Sequence, residues 1–322
     1  MDMKKVAVVS SSLSETVGGI ERALNLFSSG LRDIGYDVVP METGRQDLCS
    51  IDSFREKWNS VFQDGAPDVI LTQSWMQKIL SHIGKLFPDI PVVLRWDGAI
   101  SAETLKNLSA ANVAEHFACS HGAAHAVRSI FNVHCETIYN GVYPWNSSGK
   151  IDWGSERFNC VRATRSSDGK NLSHVYRLAA SMPRHDFSIA GPTGADTENM
   201  KHVGLLEPEE LFKNLYEGSH IALCTSGPEN EGIPNSIIEP MSLGSIPVVY
   251  DTGEIRELVF HGWNGFVVEN GRLDLVGKSI RSLSRDRKLA ESMSDRARET
   301  VQSMFNTRIA AEKLDAIINR IS

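Results

Sequence analysis

Two cations and two carboxylates in the second half of the chain have the types and spacing to handle a phosphorylated, hydroxyl-bearing ligand. Arg165 and Lys170 lie five apart in TRSSDGKN, directly after an apolar run that reads as a strand. Arginine offers a planar fork of donors and lysine a point charge, a pairing suited to a diphosphate. The same pair also fits a solvated cationic surface. Arg162 is a competing cation, but period-2 alternation places it inside the strand. Glu231 and Glu239 form an E-x7-E pair across a Gly- and Pro-rich loop. A carboxylate accepts two hydroxyl hydrogen bonds, which suits a ribose diol or a sugar ring. Against that, Ser236-Ile-Ile-Glu239 reads as a capping box that would close only its own helix, and Glu231 reads equally as a solvated loop acid.

The first half supplies further candidates. Gly18 and Gly19 follow the first strand and open the first helix. Such a turn lets backbone approach a ligand and offers N–H groups to a phosphate, and it is also an ordinary helix start. The fingerprint G-x-G-x-x-G is absent, which argues against a nicotinamide enzyme. Arg95, Trp96 and Asp97 end the strand VVL, and His121 follows Ala118-Cys119-Ser120 at another strand end. These could serve acid–base work, although a lone histidine in such a place also reads as a capping residue. No D-x-D and no His/Asp/Glu cluster occurs at ligand spacing, so no metal is expected. No G-x-S-x-G elbow is present.

Elements that could position these residues alternate along the whole chain. Val6–Val9 is a β-branched run, the mark of a strand buried on both faces. Ile20, Ala23, Leu24, Phe27, Leu31 and Ile34 recur at helical spacing, and Gly35 ends that helix. Further first-half strands are expected at Asp68–Thr72, Val92–Arg95, His116–Ala118 and Thr137–Tyr139, with helices at about 76–87, 102–110 and 121–131 between them. GVYPWNSSGKIDWGS, residues 141–155, has no period and many turn residues, and reads as a linker. A second series follows, including strands at Ile221–Thr225 and Pro247–Asp251 and helices at 207–217 and 254–260. A helix is expected to start near Ser236, with Pro240 close to the end of its first turn. The last helix, about 307–320, is amphipathic. This alternation predicts a parallel α/β architecture in two domains.

The totals agree with that reading. A length of 322 residues suggests two domains. Net charge is −7, which disfavours a general nucleic-acid surface. No apolar run approaches the roughly 18–20 residues of a membrane span. The five cysteines are scattered without a C-x-x-C pair, and the N-terminus lacks a leader's cleavage site; both suggest a reduced, cytoplasmic protein.

The stretch EGIPNSIIEPMSLGSIPVVYDTGEIRELVFHGWNGFVVENG resembles the donor-site block of the GT-B, family 4 retaining glycosyltransferases, also known as glycosyl transferases group 1. GGIER, ACSHGAAHAV, TIYNGV, TRSSDGK, AGP and HVGLLEPEEL resemble other marks of that family, in the family's order. The resemblance implies two Rossmann-like doubly wound domains facing a cleft. The first would be an acceptor-side domain, 1–143, with a C-terminal helix at about 306–322 packing back on it. The second would be a nucleotide-sugar donor domain, 144–305. By the same resemblance Arg165 and Lys170 hold the donor diphosphate, and Glu239 binds the ribose. Glu231 and the backbone of Gly232, Ile233, Pro234 and Asn235 meet sugar and phosphate. Gly18 and Gly19 reach the phosphates, and Val203 lies in the base-binding region. Asp97 takes the place of a family histidine.

The implied catalytic set is Glu231, Asp97, Arg165 and Lys170. The implied reaction is metal-independent, retaining transfer from a UDP- or GDP-sugar to a hydroxyl of a glycan, a lipid-linked or a small-molecule acceptor. No cofactor and no nucleic acid are implied, and peripheral contact with the inner face of the membrane is compatible with such acceptors. Two alternatives are a two-lobed sugar- or nucleotide-binding protein without catalysis and a sugar-nucleotide epimerase. Departures from the family pattern are Thr164 before the phosphate arginine, Pro240 after the second glutamate and Tyr143 after Asn-Gly-Val.

Overall fold

The structure is a computed structural model that describes residues 3–13, 19–45, 47–97, 111–142, 145, 150–165, 168–227 and 232–321. Gly18, Glu231, Tyr143 and the helix expected at 102–110 lie outside the described residues.

The chain divides into two compact units, Met1–Gly141 with Thr307–Ser322, and Val142–Asn306. The first opens with β1 (Lys5–Ser10), α1 (Gly19–Asp33), β2 (Asp37–Glu42), α2 (Ile51–Val61), β3 (Val69–Gln73) and α3 (Gln77–Leu86). It continues with β4 (Val92–Trp96), β5 (Val113–Ala118), α4 (His121–Phe131) and β6 (Glu136–Thr137). The second holds β7 (Asn159–Ala163), a short 3-10 turn (Asp168–Lys170), α5 (Leu172–Ser181), β8 (Asp186–Ala190), β9 (Met200–Gly204) and α6 (Pro208–Leu211). Then come β10 (Ile221–Cys224), α7 (Asn235–Ser242), β11 (Ile246–Tyr250), β12 (Phe266–Val268), α8 (Leu273–Arg285) and α9 (Arg287–Met304). The last helix, α10 (Thr307–Ile321), returns to the first unit.

Both sheets are parallel and six-stranded, in the orders β2-β1-β3-β4-β5-β6 and β12-β11-β10-β7-β8-β9. Strands covered on both faces read as unbroken apolar runs, and β3, β4, β10 and β11 are buried at every residue. In the first unit Val6, Val8, Leu71 and Val93 face α1 and α10, while Ala7, Val9, Ile70 and Leu94 face the opposite cluster. The expected doubly wound architecture is therefore present twice. Each sheet reverses its strand order once, between β1 and β3 and between β7 and β10. Open α/β sheets bind ligands beyond the carboxyl ends of the strands at such points.

The amphipathic face of α10, formed by Ala310, Leu314, Ile317 and Ile318, packs with Leu24, Phe27 and Leu31 of α1. Gly30 makes this close approach possible: a Cβ there would lie 2.8 Å from that of Ala311. The Tyr36 hydroxyl donates to Asp315 at 2.6 Å, and Arg320 reaches Glu115 and Glu136.

Four local expectations are corrected. The helix expected at 254–260 is one 3-10 turn, Ile255–Glu257. Asn264 wins there, because its side chain donates to the Leu258 carbonyl and accepts from the Phe260 N–H, folding the segment back. The helix expected at 207–217 is α6 followed by a wider i→i+5 turn, Phe212–Tyr216. α7 starts at Asn235 with Pro234 at its cap, which puts Ser236 inside the helix and Pro240 beyond its first turn. Finally, Ile151 and Trp153 of the linker-like stretch are buried in the core of the second unit. Turn-rich composition concealed two core anchors.

Candidate active site

The carboxyl edge of the second sheet is built around Arg162. This residue lies on β7 and is 2% exposed. Its Nη1 donates to the Thr225 hydroxyl at 2.7 Å, and its Nη2 donates to the Lys170 carbonyl at 2.8 Å and the Ser226 hydroxyl at 3.1 Å. Thr225 and Ser226 follow β10, the strand across the switch point. Asn171 holds the left-handed conformation, with φ 49°, and its side chain donates to the Thr225 carbonyl at 2.9 Å. Asparagine tolerates that conformation better than most residues. The Gly227 N–H donates to the Gly169 carbonyl at 2.9 Å. Thr252, after β11, donates to the Gly227 carbonyl, and Asn270, after β12, donates to that of Ser226. The segment 225–227 is thus tied to its neighbours on both sides.

Lys170 ends the 3-10 turn and is half-buried, whereas the Arg165 side chain is exposed just beyond β7. Gly191 shapes this loop. It has φ 103°, and a Cβ there would overlap the Thr164 carbonyl oxygen. Gly232 is half-buried; Ile233, Pro234 and Asn235 are buried and lead into α7. Glu239 is 4% exposed in that helix. The capping-box reading of Glu239 is excluded, because Pro234 and not Ser236 occupies the cap. The first N–H groups of α7 make an electropositive helix start, suited to an anion. Val203 sits on β9, half-buried against the cluster of Ala190, Leu211 and Phe212. This edge therefore gathers Arg165, Lys170, residues 232–235 and Glu239 in one unit.

Gly19 and Asp97 belong to the other unit. Gly19 is the first residue of α1. Asp97 follows β4 and pairs with Arg95 at 2.6 Å, with side-chain exposures of 8% and 1%. Arg95 also donates to the Asn140 side chain at 2.8 Å and lies 5.4 Å from the Phe27 ring centre. Burial pushes the Asp97 carboxyl above its ordinary range; Arg95 pulls it back and Glu21 adds to the rise. His121 opens α4 and lies 3.0 Å from the Thr137 hydroxyl.

Sequence reasoning weighed Arg162 as a competing cation and set it aside inside the strand, and it missed Asn171, Thr225, Ser226 and Asn140. The available signal was a lone arginine within an apolar strand, since burying a charge demands partners.

Comparison with known proteins adds a family resemblance. Residues 195–300 match the family Glycosyl transferases group 1. An uncharacterized glycosyltransferase of Haemophilus influenzae is 25% identical over 92% of this chain and 95% of its own length. The capsular polysaccharide biosynthesis glycosyltransferase CapM of Staphylococcus aureus is 33% identical, over 37% of this chain and 30% of its own. Among solved structures, a glycosyltransferase from Rickettsia africae superposes with a TM-score of 0.77 at 15% identity, covering 100% of this chain and 99% of that one. HepE of Anabaena, in complex with UDP and glucose, superposes with a TM-score of 0.73 at 16% identity, covering 98% of this chain and 100% of that one. The fold is GT-B, and the resemblance to group 1 glycosyltransferases holds over residues 195–300. Among the described residues no helix is long and apolar enough to cross a membrane.

Proposed function

We propose, from a GT-B fold that carries a group 1 glycosyltransferase match, that this protein transfers a sugar from a nucleotide diphosphate sugar to an acceptor hydroxyl with retention of configuration. The observation that carries the reading is the backbone at Gly169, Lys170 and Asn171, tied to Arg162 and to the end of β10 at the switch point of the second sheet. In this reading Arg165 and Lys170 bind the diphosphate and stabilise the charge that grows on it as the glycosidic bond breaks. The backbone of 232–235 at the start of α7 adds N–H donors, and Glu231 meets the sugar. Glu239, buried in α7, accepts the ribose hydroxyls. Val203 flanks the base. By the family resemblance, Gly18 and Gly19 are assigned to the phosphates and Asp97 to the catalytic set. None of these steps calls on a metal. The UDP and glucose bound by HepE support a UDP-sugar as donor. A glycan, lipid-linked or small-molecule acceptor, placement in family 4 and cytoplasmic action complete the proposal.

The test is thermal unfolding with UDP, GDP, ADP and NAD at about millimolar concentration. Ligand at 100 times its dissociation constant adds about 2.7 kcal/mol. A shift with UDP or GDP and none with NAD is expected. The matching nucleotide-glucose is then turned over, with anomeric configuration followed by NMR. An inverted product would end the retaining assignment, and the absence of any diphosphate shift would end the donor-site assignment.

A further inference from the structure

We propose that Arg162 is a positioning residue for the donor diphosphate, setting the Lys170 loop against the end of β10 so that its cation and backbone present one preformed phosphate cradle. This rests on the donor-site reading above and adds a residue which that reading does not use.

The geometry carries the argument. Arg162 is buried at the switch point, and its two terminal nitrogens reach three oxygens on two separate segments. One of those oxygens is the main-chain carbonyl of Lys170, so the guanidinium fixes the backbone from which the Lys170 side chain departs. The other two are the Thr225 and Ser226 hydroxyls, at the head of the loop that leads to the α7 N-terminus. The Thr225 hydroxyl accepts from Arg162 and itself lies 3.4 Å and 3.3 Å from the Lys170 and Asn171 carbonyls. A guanidinium meets this demand because its donors diverge in one rigid plane. A lysine ammonium brings the same charge without the planar fork and cannot reproduce that geometry. The charge also reaches the first turn of α5. After burial and Arg177, Arg162 is a further influence holding His174 below its ordinary range. A fixed positive charge under an anion loop needs no reorganisation when a diphosphate arrives.

The experiment measures binding of UDP and GDP, with uridine and guanosine as phosphate-free controls, by ligand-observed NMR competition. It compares the wild type with Arg162→Lys, Thr225→Val and Ser226→Ala. Arg162→Lys keeps the charge and loses the fork. It is expected to weaken the bound diphosphate at least tenfold while nucleoside affinity changes less than twofold. Thr225→Val and Ser226→Ala each remove one bridged oxygen and are expected to weaken the diphosphate about three- to tenfold, again without change for the nucleoside. Unchanged diphosphate affinity in Arg162→Lys would overturn the proposal. So would an equal loss for nucleoside and diphosphate, which marks a merely structural role. If Arg162→Lys does not fold, the two hydroxyl variants decide by the same ratio. If the wild type binds neither UDP nor GDP, the donor-site reading itself falls and this inference with it. The two failures are therefore distinct.

Discussion

Each unit buries an arginine near the carboxyl edge of its sheet, and the two are used differently. Arg95 on β4 closes on a carboxylate one residue past its strand, with Asn140 as a further partner. Arg162 on β7 reaches across the switch point to hydroxyls and a main-chain carbonyl. The first arrangement pairs opposite charges at short range. The second uses its donors to join two loops. A buried ion pair offsets its own desolvation and adds little net stability. A buried fork shared among loop oxygens fixes backbone, and backbone position is what a phosphate site needs. The contrast is between a local charge pair and a backbone tie that spans two strands.

The largest expected effect breaks the first arrangement. Arg95→Met leaves the Asp97 carboxyl buried without its partner, and unfolding stability should fall by about 3–5 kcal/mol in urea titrations. Because burial already raises the Asp97 carboxyl, the loss should be greater at pH 8, where the unfolded carboxyl is charged, than at pH 4. Arg95→Met/Asp97→Asn should recover part of it. No recovery would mean that Arg95 acts through Asn140 and Phe27, and the charge-pair half of the comparison would fail.

The second edge is tested through catalysis. Lys170→Ala and Glu239→Gln should each lower kcat by about 100- to 1,000-fold, as loss of a preorganised polar group does. Their circular dichroism should match the wild type. Turnover surviving both changes would remove the cradle from the reaction.

A pH effect of similar size belongs to the first unit. His116 is held down to about 4 by burial, against 6.5 for the free side chain. Its ring also accepts from the Trp96 indole N–H at 3.2 Å, which needs the neutral form. The unfolded chain therefore takes up the proton first as pH falls. On the order of 3 kcal/mol should be lost between pH 6.5 and 4, fully present above and absent below. A His116→Gln variant should flatten the stability curve over that range.

A smaller effect concerns the contact of Gly141 with Thr307 in the first unit. A Cβ on Gly141 would sit 2.7 Å from the Thr307 Cα and closer still to its hydroxyl. Gly141→Ala should cost about 1–3 kcal/mol. An unchanged melting temperature would show that this contact relaxes at little cost.

Much of the fold was legible because parallel strands buried on both faces advertise themselves as apolar runs. Val92–Trp96 and Ile246–Tyr250 are buried throughout, and their patterns needed only neighbouring residues to read. Arg165, Lys170 and residues 232–235 were legible as candidates for the same reason: a cation pair or a glycine turn just past a strand is a local signature. Arg162 was equally visible as a residue and was passed over because alternation explained its place without asking for its partners. Trp153 was passed over because turn residues surround it.

By itself the sequence determined which segments become strands and helices, that they alternate in two series, and which polar residues stand at strand ends. These follow from propensity and apolar period, which act over a few residues. The tertiary structure alone decided the strand orders, and with them the two switch points. It also decided that Arg162 meets Thr225 63 positions away and that Arg95 meets Asn140 45 away. Those contacts depend on which strand lies beside which and in what register, a choice made only when the whole sheet closes over its core.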